Sequence, residues 1–224
     1  RTPLTVVREG VSQVRDELMG PVPDSQKAML DMVLQNSDRL GRIIDELLDV
    51  SKLEAGKVRL QRKLCNITEV VSEVVGNFQV ISQQRGLSIL TDFSSPKIEI
   101  YIDRDKIVQV LTNLINNALK FTAEGHIKVH LSAREGFVEC KVSDTGKGIS
   151  KEDLPRAFQK FRQFGREVGP GDRGTGLGLS ICKKLIELHH GRVKIESVPM
   201  KGTVVTLQLP QYTHRDLFQD SIGQ

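Results

Sequence analysis

Tryptophan is absent from this chain of 224 residues, and all aromatics together make up only 4% of it. The net charge is a mild +4, with Lys and Arg scattered among Asp and Glu. No basic stripe rich in aromatics exists, which argues against a nucleic-acid partner. The three cysteines, Cys65, Cys140 and Cys182, are far apart and form no CxxC pair. That spacing disfavours metal or disulfide roles and fits reduced thiols in a cytosol. No apolar run approaches the roughly 18 residues of a membrane span, and no secretory signal pattern opens the sequence. The Walker pattern GxxxxGK[ST] is missing as well.

What remains is ordinary for a globular protein of one large or two small domains: 38% hydrophobic and 27% charged residues. Two patterns divide the chain. Over the first 54 residues apolar side chains recur at alternating spacings of three and four. Leu4, Val7, Val11, Val14 and Leu18 form one stripe. Leu30, Val33, Leu40, Ile44 and Leu47 form another, with Ser37 and Ser51 in its polar gaps. Such stripes are bundle seams rather than strands. The link GPVPDS (20–25) supplies a helix-ending Gly20, two prolines, and Asp24 or Ser25 as an N-cap. A link so short predicts antiparallel neighbours. Two helices alone cannot bury both sides of a narrow seam, so a homodimer through residues 1–54, forming a four-helix bundle, is expected. The alternative is a hairpin packed on its own downstream domain.

After SKLEAGK (51–57) the period changes to two. KIEIYI (97–102), HIKVHL (126–131), VECKV (138–142), RVKIES (192–197) and TVVTLQL (203–209) read as strands. Helices are predicted near 67–84, 104–121 and 175–190, and REG (134–136) and PMKG (199–202) as hairpin turns. The fold class is α+β: a helical hairpin over 1–56, then an α/β sandwich over 57–210 with helices on one face of a sheet, and a tail over 211–224. The tail from residue 212 carries no reading.

Three segments carry chemistry. In DRDKIVQVLTNLINNALKFT (103–122), Ile107, Leu111, Leu114 and Ala118 share a core face, while Asn113, Asn117 and Lys120 share another arc. Two amides and an ammonium on one ridge suit oxygen-ligated Mg²⁺ and nucleotide phosphates, although surface Asn and Lys are also common. In SDTGKGIS (143–150), Asp144 precedes Gly146 and Gly148, which permit a tight turn and close backbone approach. An aspartate there can accept from an exocyclic amine such as that of adenine; taken alone, the segment reads equally as a strand-ending turn. In DRGTGLGLSICKKLIELHH (172–190), Gly174, Gly176 and Gly178 precede an amphipathic helix. Backbone amides at such a helix start suit phosphates. The dinucleotide GxGxxG is not matched, because the third glycine comes one residue early.

The ordered set, an Asn-rich helix, DxGxGI, FxxF (FQKF, 158–161) and GxGxG, resembles the ATP-binding domain of sensor histidine kinases. RTPLT (1–5) and LLDVSKLEAGK (47–57) resemble the same family's dimerisation and phosphoacceptor hairpin, so the resemblance runs to about residue 210. It implies a Bergerat-type sandwich, shared with gyrase and related ATPases, that binds ATP and Mg²⁺. By similarity Asn117 would be the Mg²⁺ ligand, with Asn113 supporting metal and phosphates. Lys120 would reach the phosphates, Phe121 would pack near the base, and Asp144 would read the adenine amine beside Gly146 and Gly148. Gly174, Thr175, Gly176, Leu177 and Gly178 would close over the phosphates. Residues 150–173 resemble the ATP lid, and 164–174 are expected to be mobile without nucleotide. Arg162, or alternatively Lys160, would meet the γ-phosphate.

Hydrolysing ATPases of this fold carry a general-base glutamate four residues before the metal asparagine. Here that position is Asn113, and an amide cannot take a proton from water. Transfer to a nucleophilic imidazole is therefore expected, with positioning and charge neutralisation supplying the catalysis. None of the five histidines reads as the acceptor. His126 and His130 belong to a strand, His214 to the tail, and His189 and His190 to a helix end where imidazoles face the last carbonyls. Arg1, Thr2, Pro3 and Leu4 match the end of the family's acceptor motif, which places the histidine three positions before Arg1. The resemblance further implies transfer to an aspartate on a response regulator receiver domain, and a phosphatase role for Thr2 in positioning water. It implies a cytoplasmic segment with no membrane contact of its own, any anchor lying upstream. A conformational ATPase of the same fold and a non-catalytic dimeric scaffold are the competing readings.

Overall fold

The computed structural model describes residues 2–134, 136–163 and 174–211. Two compact units emerge, divided after Lys57. The first holds α1 (Thr2–Arg15) and α2 (Asp24–Glu54). Pro3 falls in the first turn of α1, where its missing amide costs no helical bond. α1 ends before its predicted stripe does: Glu17 takes a positive φ of 61°, and Leu18 lies beyond the helix. At the start of α2 neither Asp24 nor Ser25 is the cap. Pro23 holds that position with φ −59° and ψ 145°, and its carbonyl accepts from the amides of Gln26 and Lys27. Proline's fixed φ suits the turn into a helix, and Asp24 lies within the first turn, where a carboxylate opposes the helix dipole.

Exposed ion pairs tie the two helices, Arg8 to Asp38 at 2.7 Å and Arg15 to Asp31 at 3.0 Å, and Lys27 of α2 reaches Glu17 in the link at 2.8 Å. They fix register more than stability. Val50 is the one apolar side chain buried among the described residues of this unit, whereas Val6 (63%) and Leu40 (47%) stay exposed. Thr175 belongs to this unit too, and its hydroxyl bonds the Glu46 carboxylate.

The second unit holds β1 (Lys63–Asn66), α3 (Ile67–Gln84), β2 (Ser88–Phe93), β3 (Glu99–Ile102), α4 (Arg104–Phe121), β4 (His126–Arg134), β5 (Phe137–Asp144), α5 (Gly178–Leu188), β6 (Arg192–Val198) and β7 (Gly202–Pro210), with a 3-10 turn at Leu154–Arg156. A five-stranded sheet runs β2-β4-β5-β7-β6, parallel between β2 and β4 and antiparallel elsewhere. β1 and β3 form a separate antiparallel pair. Alternate residues of the central strands, such as Ile127, Val129 and Leu131 or Val205, Leu207 and Leu209, are buried. On one face, α4 packs on β4 and β5, α5 on β6 and β7, and α3 on β2 and α4, with Val71 and Val74 of α3, Ile107, Leu111, Leu114 and Ala118 of α4, and Ile181 and Leu185 of α5 buried. The expected core stripe of α4 is thus the observed one.

α3 and α4 start on side-chain caps. Asn66 accepts from Thr68 N at 3.2 Å, and Asp103 accepts from Lys106 N at 3.2 Å. β1 and β2 do not appear in the sequence reading, and α5 starts at Gly178 rather than 175. Gly176 explains the latter, because its φ of +75° cannot continue a right-handed helix.

Candidate functional site

The site is built where the C-terminal half of α4, the turn after β5 and the start of α5 converge. Asn113, Asn117 and Lys120 follow one ridge of α4, all half-buried. A Cβ added to Gly178 would lie 3.6 Å from Asn113 Cγ, so the start of α5 abuts the ridge. No side chain caps α5, no acid occupies its first turn, and its start lies beside Asn113. Leu177, at the N-cap position of α5, is fully buried, and its carbonyl accepts from Ile181 N at 3.0 Å and Ser180 Oγ at 2.7 Å.

Phe121, at the end of α4, meets the turn. Lys147 N donates to Phe121 O at 3.1 Å, and a Cβ on Gly146 would lie 2.2 Å from that oxygen. Glycine is required by this approach. The ammonium groups of Lys147 and Lys120 stand 4.9 and 5.3 Å from the Phe121 ring centre. Asp144 Oδ1 accepts from Gly146 N at 2.9 Å and Thr203 N at 3.2 Å. Burial pushes the Asp144 carboxyl above the usual range, against the pull of those two amides. Neither bond uses Oδ2.

The β6–β7 hairpin fixes this turn from behind, which sequence reading missed. Ser197 Oγ accepts from Ile149 N at 2.8 Å and donates to Gly202 O at 2.9 Å. Met200 N donates to Lys147 O at 2.8 Å. Gly148, with φ +66°, sits against Val198 O. The PMKG signal named the hairpin but not its partner. Ser197→Ala would strand the Ile149 amide, and a loss of about 1–3 kcal/mol is expected in urea unfolding of the chain.

Phe161 and Arg162 approach Gly176: Phe161 N donates to Gly176 O at 3.0 Å, and a Cβ on Gly176 would lie 2.8 Å from Arg162 O. The Arg162 side chain itself is exposed, and Lys160 is half-buried. Of the expected lid, residues 164–173 lie outside the described residues, as does the Thr2 side chain. Gly174 is exposed.

His189 confirms the expected carbonyl contact, its Nδ1 lying 2.7 Å from Leu185 O. Its Nε2 accepts from Asp103 N at 3.1 Å. Burial lowers its pKa. Among the described residues no group of three His, Cys, Asp or Glu could hold a metal ion. The amide oxygens of Asn113 and Asn117 are hard donors that fit Mg²⁺ held jointly with phosphates. No helix among the described residues is long and apolar enough to cross a membrane.

Residues 102–213 match the family described as histidine kinase-, DNA gyrase B-, and HSP90-like ATPase, and residues 1–56 match the His Kinase A (phospho-acceptor) domain. Histidine protein kinase DivJ of Caulobacter vibrioides is 34% identical over 211 residues, covering 94% of this chain and 35% of that protein. Sensor protein SrrB of Staphylococcus aureus is 32% identical over 212 residues, covering 94% and 36%. The chain therefore spans about a third of either relative. Full-length ShkA in complex with AMPPNP aligns at TM-score 0.79 and 26% identity, over 95% of this chain and 44% of that one. The catalytic domain of histidine kinase ThkA aligns at 0.61 and 28%, over 68% and 99%.

Proposed function

The chain belongs to the sensor histidine kinases, and on that premise we propose that it binds Mg-ATP and transfers the γ-phosphoryl group to a histidine of a dimerised hairpin. The observation that carries this reading is the convergence of three separated segments: Asn113 against the start of α5, and Phe121 against the Asp144 turn. In this reading Asp144 Oδ2 accepts the adenine amine, and Phe121 flanks the base with Lys147. The amides at the start of α5 take phosphate oxygens. Lys120 and Arg162 neutralise charge on the transferred group. Asn117 would hold Mg²⁺ with support from Asn113, and the ion when bound would offset phosphate charge.

The exposed apolar stripes of α1 and α2 support a homodimer through residues 1–54, in which four helices would share one seam. Membership of the histidine kinases supports onward transfer to a receiver-domain aspartate, and Thr2 would position water to hydrolyse that phosphoaspartate. Residues 1–56, 57–210 and 211–224 then serve as hairpin, ATP-binding domain and tail.

The test is calorimetric titration with ATP, with and without Mg²⁺, alongside steady-state phosphate release. Binding that needs Mg²⁺, with no sustained release of phosphate, is the expected result. Sustained release without any phosphoprotein would favour the conformational ATPase, and no Mg-dependent binding would favour the scaffold. With the family's histidine supplied ahead of Arg1, labelled ATP should yield acid-labile, base-stable phosphohistidine.

A further inference from the structure

α4 and α5 lie side by side, and each carries half of the phosphate site, α4 near its C-terminal end and α5 at its N-terminus. Their opposite ends are joined by one imidazole. His189, just past α5, is 2% exposed. Its Nδ1 donates to Leu185 O within its own last turn, and its Nε2 accepts the amide of Asp103, the residue that caps α4. Both Asp103 carboxylate oxygens hold backbone amides, Oδ1 accepting from Lys106 N and Oδ2 from Gln61 N at 2.8 Å. Arg62 donates to Leu188 O at 2.5 Å on the same corner.

The geometry points to His189 as a proton-sensitive latch on the nucleotide site: neutral, it fixes α4 against α5, and protonated, it releases them. This rests on the nucleotide-binding reading above. Both bonds are possible only with Nδ1 protonated and Nε2 bare. A second proton on Nε2 would face the Asp103 amide donor to donor and destroy that bond. Turning the Asp103 carboxylate to meet the imidazolium would disturb the two backbone amides it holds, those of Lys106 and Gln61.

The charged and titratable groups facing the ring are Arg62 from the segment before β1, Asp103 from α4 and His190 from its own turn. Burial, Arg62 and His190 all disfavour the imidazolium, while the Leu185 carbonyl and Asp103 favour it. The folded pKa lies below the ordinary value of about 6.5, so the neutral form prevails at neutral pH. The unfolded chain takes up the proton first as pH falls. Stability is complete above about pH 6.5 and is lost progressively below it. Release alters the register of the Asn113 ridge against the start of α5, the pair of elements that hold phosphate. His189 is thus a positioning residue that touches no nucleotide.

The experiment titrates the 224-residue chain with AMPPNP and Mg²⁺ at intervals from pH 8 to 5.5. His189→Gln, which keeps a side-chain acceptor but cannot take a proton, runs in parallel. Loss of one buried hydrogen bond predicts an affinity drop of about three- to tenfold in the parent chain at the acid end, beyond any drop in the variant. Titration of the nucleotide phosphates and of Asp144 is common to both proteins and cancels in the comparison. A second reading needs no variant: the NMR titration midpoint of the His189 ring must coincide with that of the excess affinity loss. Parallel profiles, or a ring midpoint displaced from the affinity midpoint, would overturn the latch alone. Absence of AMPPNP binding at pH 8 would overturn both the latch and the nucleotide reading.

Discussion

Asp144→Asn should weaken ATP binding about 100-fold while leaving the sheet folded, a size set by losing one hydrogen bond to a charged group and gaining a donor opposed to a donor. The amide can keep its oxygen at the Oδ1 position, where Gly146 N and Thr203 N donate at 2.9 and 3.2 Å. The turn is therefore retained. What changes is the other atom, from an acceptor to an NH₂ group that would oppose the adenine amine in the proposed site. The same inversion matches the carbonyl oxygen of guanine, so preference for ATP over GTP should collapse. Calorimetry with both nucleotides, with circular dichroism as the folding check, decides it. Unchanged ATP affinity would remove Asp144 from the base site.

Gly202→Ala should cost more than about 3 kcal/mol and leave the α/β unit unstable. A Cβ there would stand 1.8 Å from Asp144 O and 3.0 Å from Thr145 Cα, with φ at +106°. Both obstacles are backbone, so no side chain can move aside. Relief would have to open the β5–β7 register at Asp144↔Thr203, the pairing that aims the carboxylate. Gly76→Ala provides the opposite case. Gly76 lies within α3 with nothing within 4 Å of its added Cβ, and its replacement should stabilise by about 0.5–1 kcal/mol. Urea midpoints of the two variants should move in opposite directions.

The contrast also shows what could be read from residues alone. α3 and α4 were legible because long amphipathic periods begin at side-chain caps, Asn66 and Asp103. The five segments that became β3 to β7 alternate in sequence. β1, KLCN, has four residues and no alternation, and only pairing with β3 makes it a strand. β2 is an edge strand in which Ile89 is buried but Leu90 remains 47% exposed, blurring its period. The candidate site residues are legible from motif order, since each sits on one local element. Its supports were not: Ser197, Thr203 and Gly202 reach the Asp144 turn only through cross-strand register. His189 was read as a helix-end imidazole, but its second bond joins residues 86 apart. Nothing in local spacing encodes that partner.

That register has a kinetic side. The Thr203 amide reaches Asp144 across 59 residues of chain. Closing so long a loop is costly in entropy and gains nothing until both strands meet, whereas the α1–α2 hairpin forms through nearby contacts. Helical signal should therefore recover early in refolding, and the ability to capture nucleotide should return only in the slowest phase. The nucleotide site would then act as a clock for completion of the sheet, silent in any species that has collapsed without joining β5 to β7.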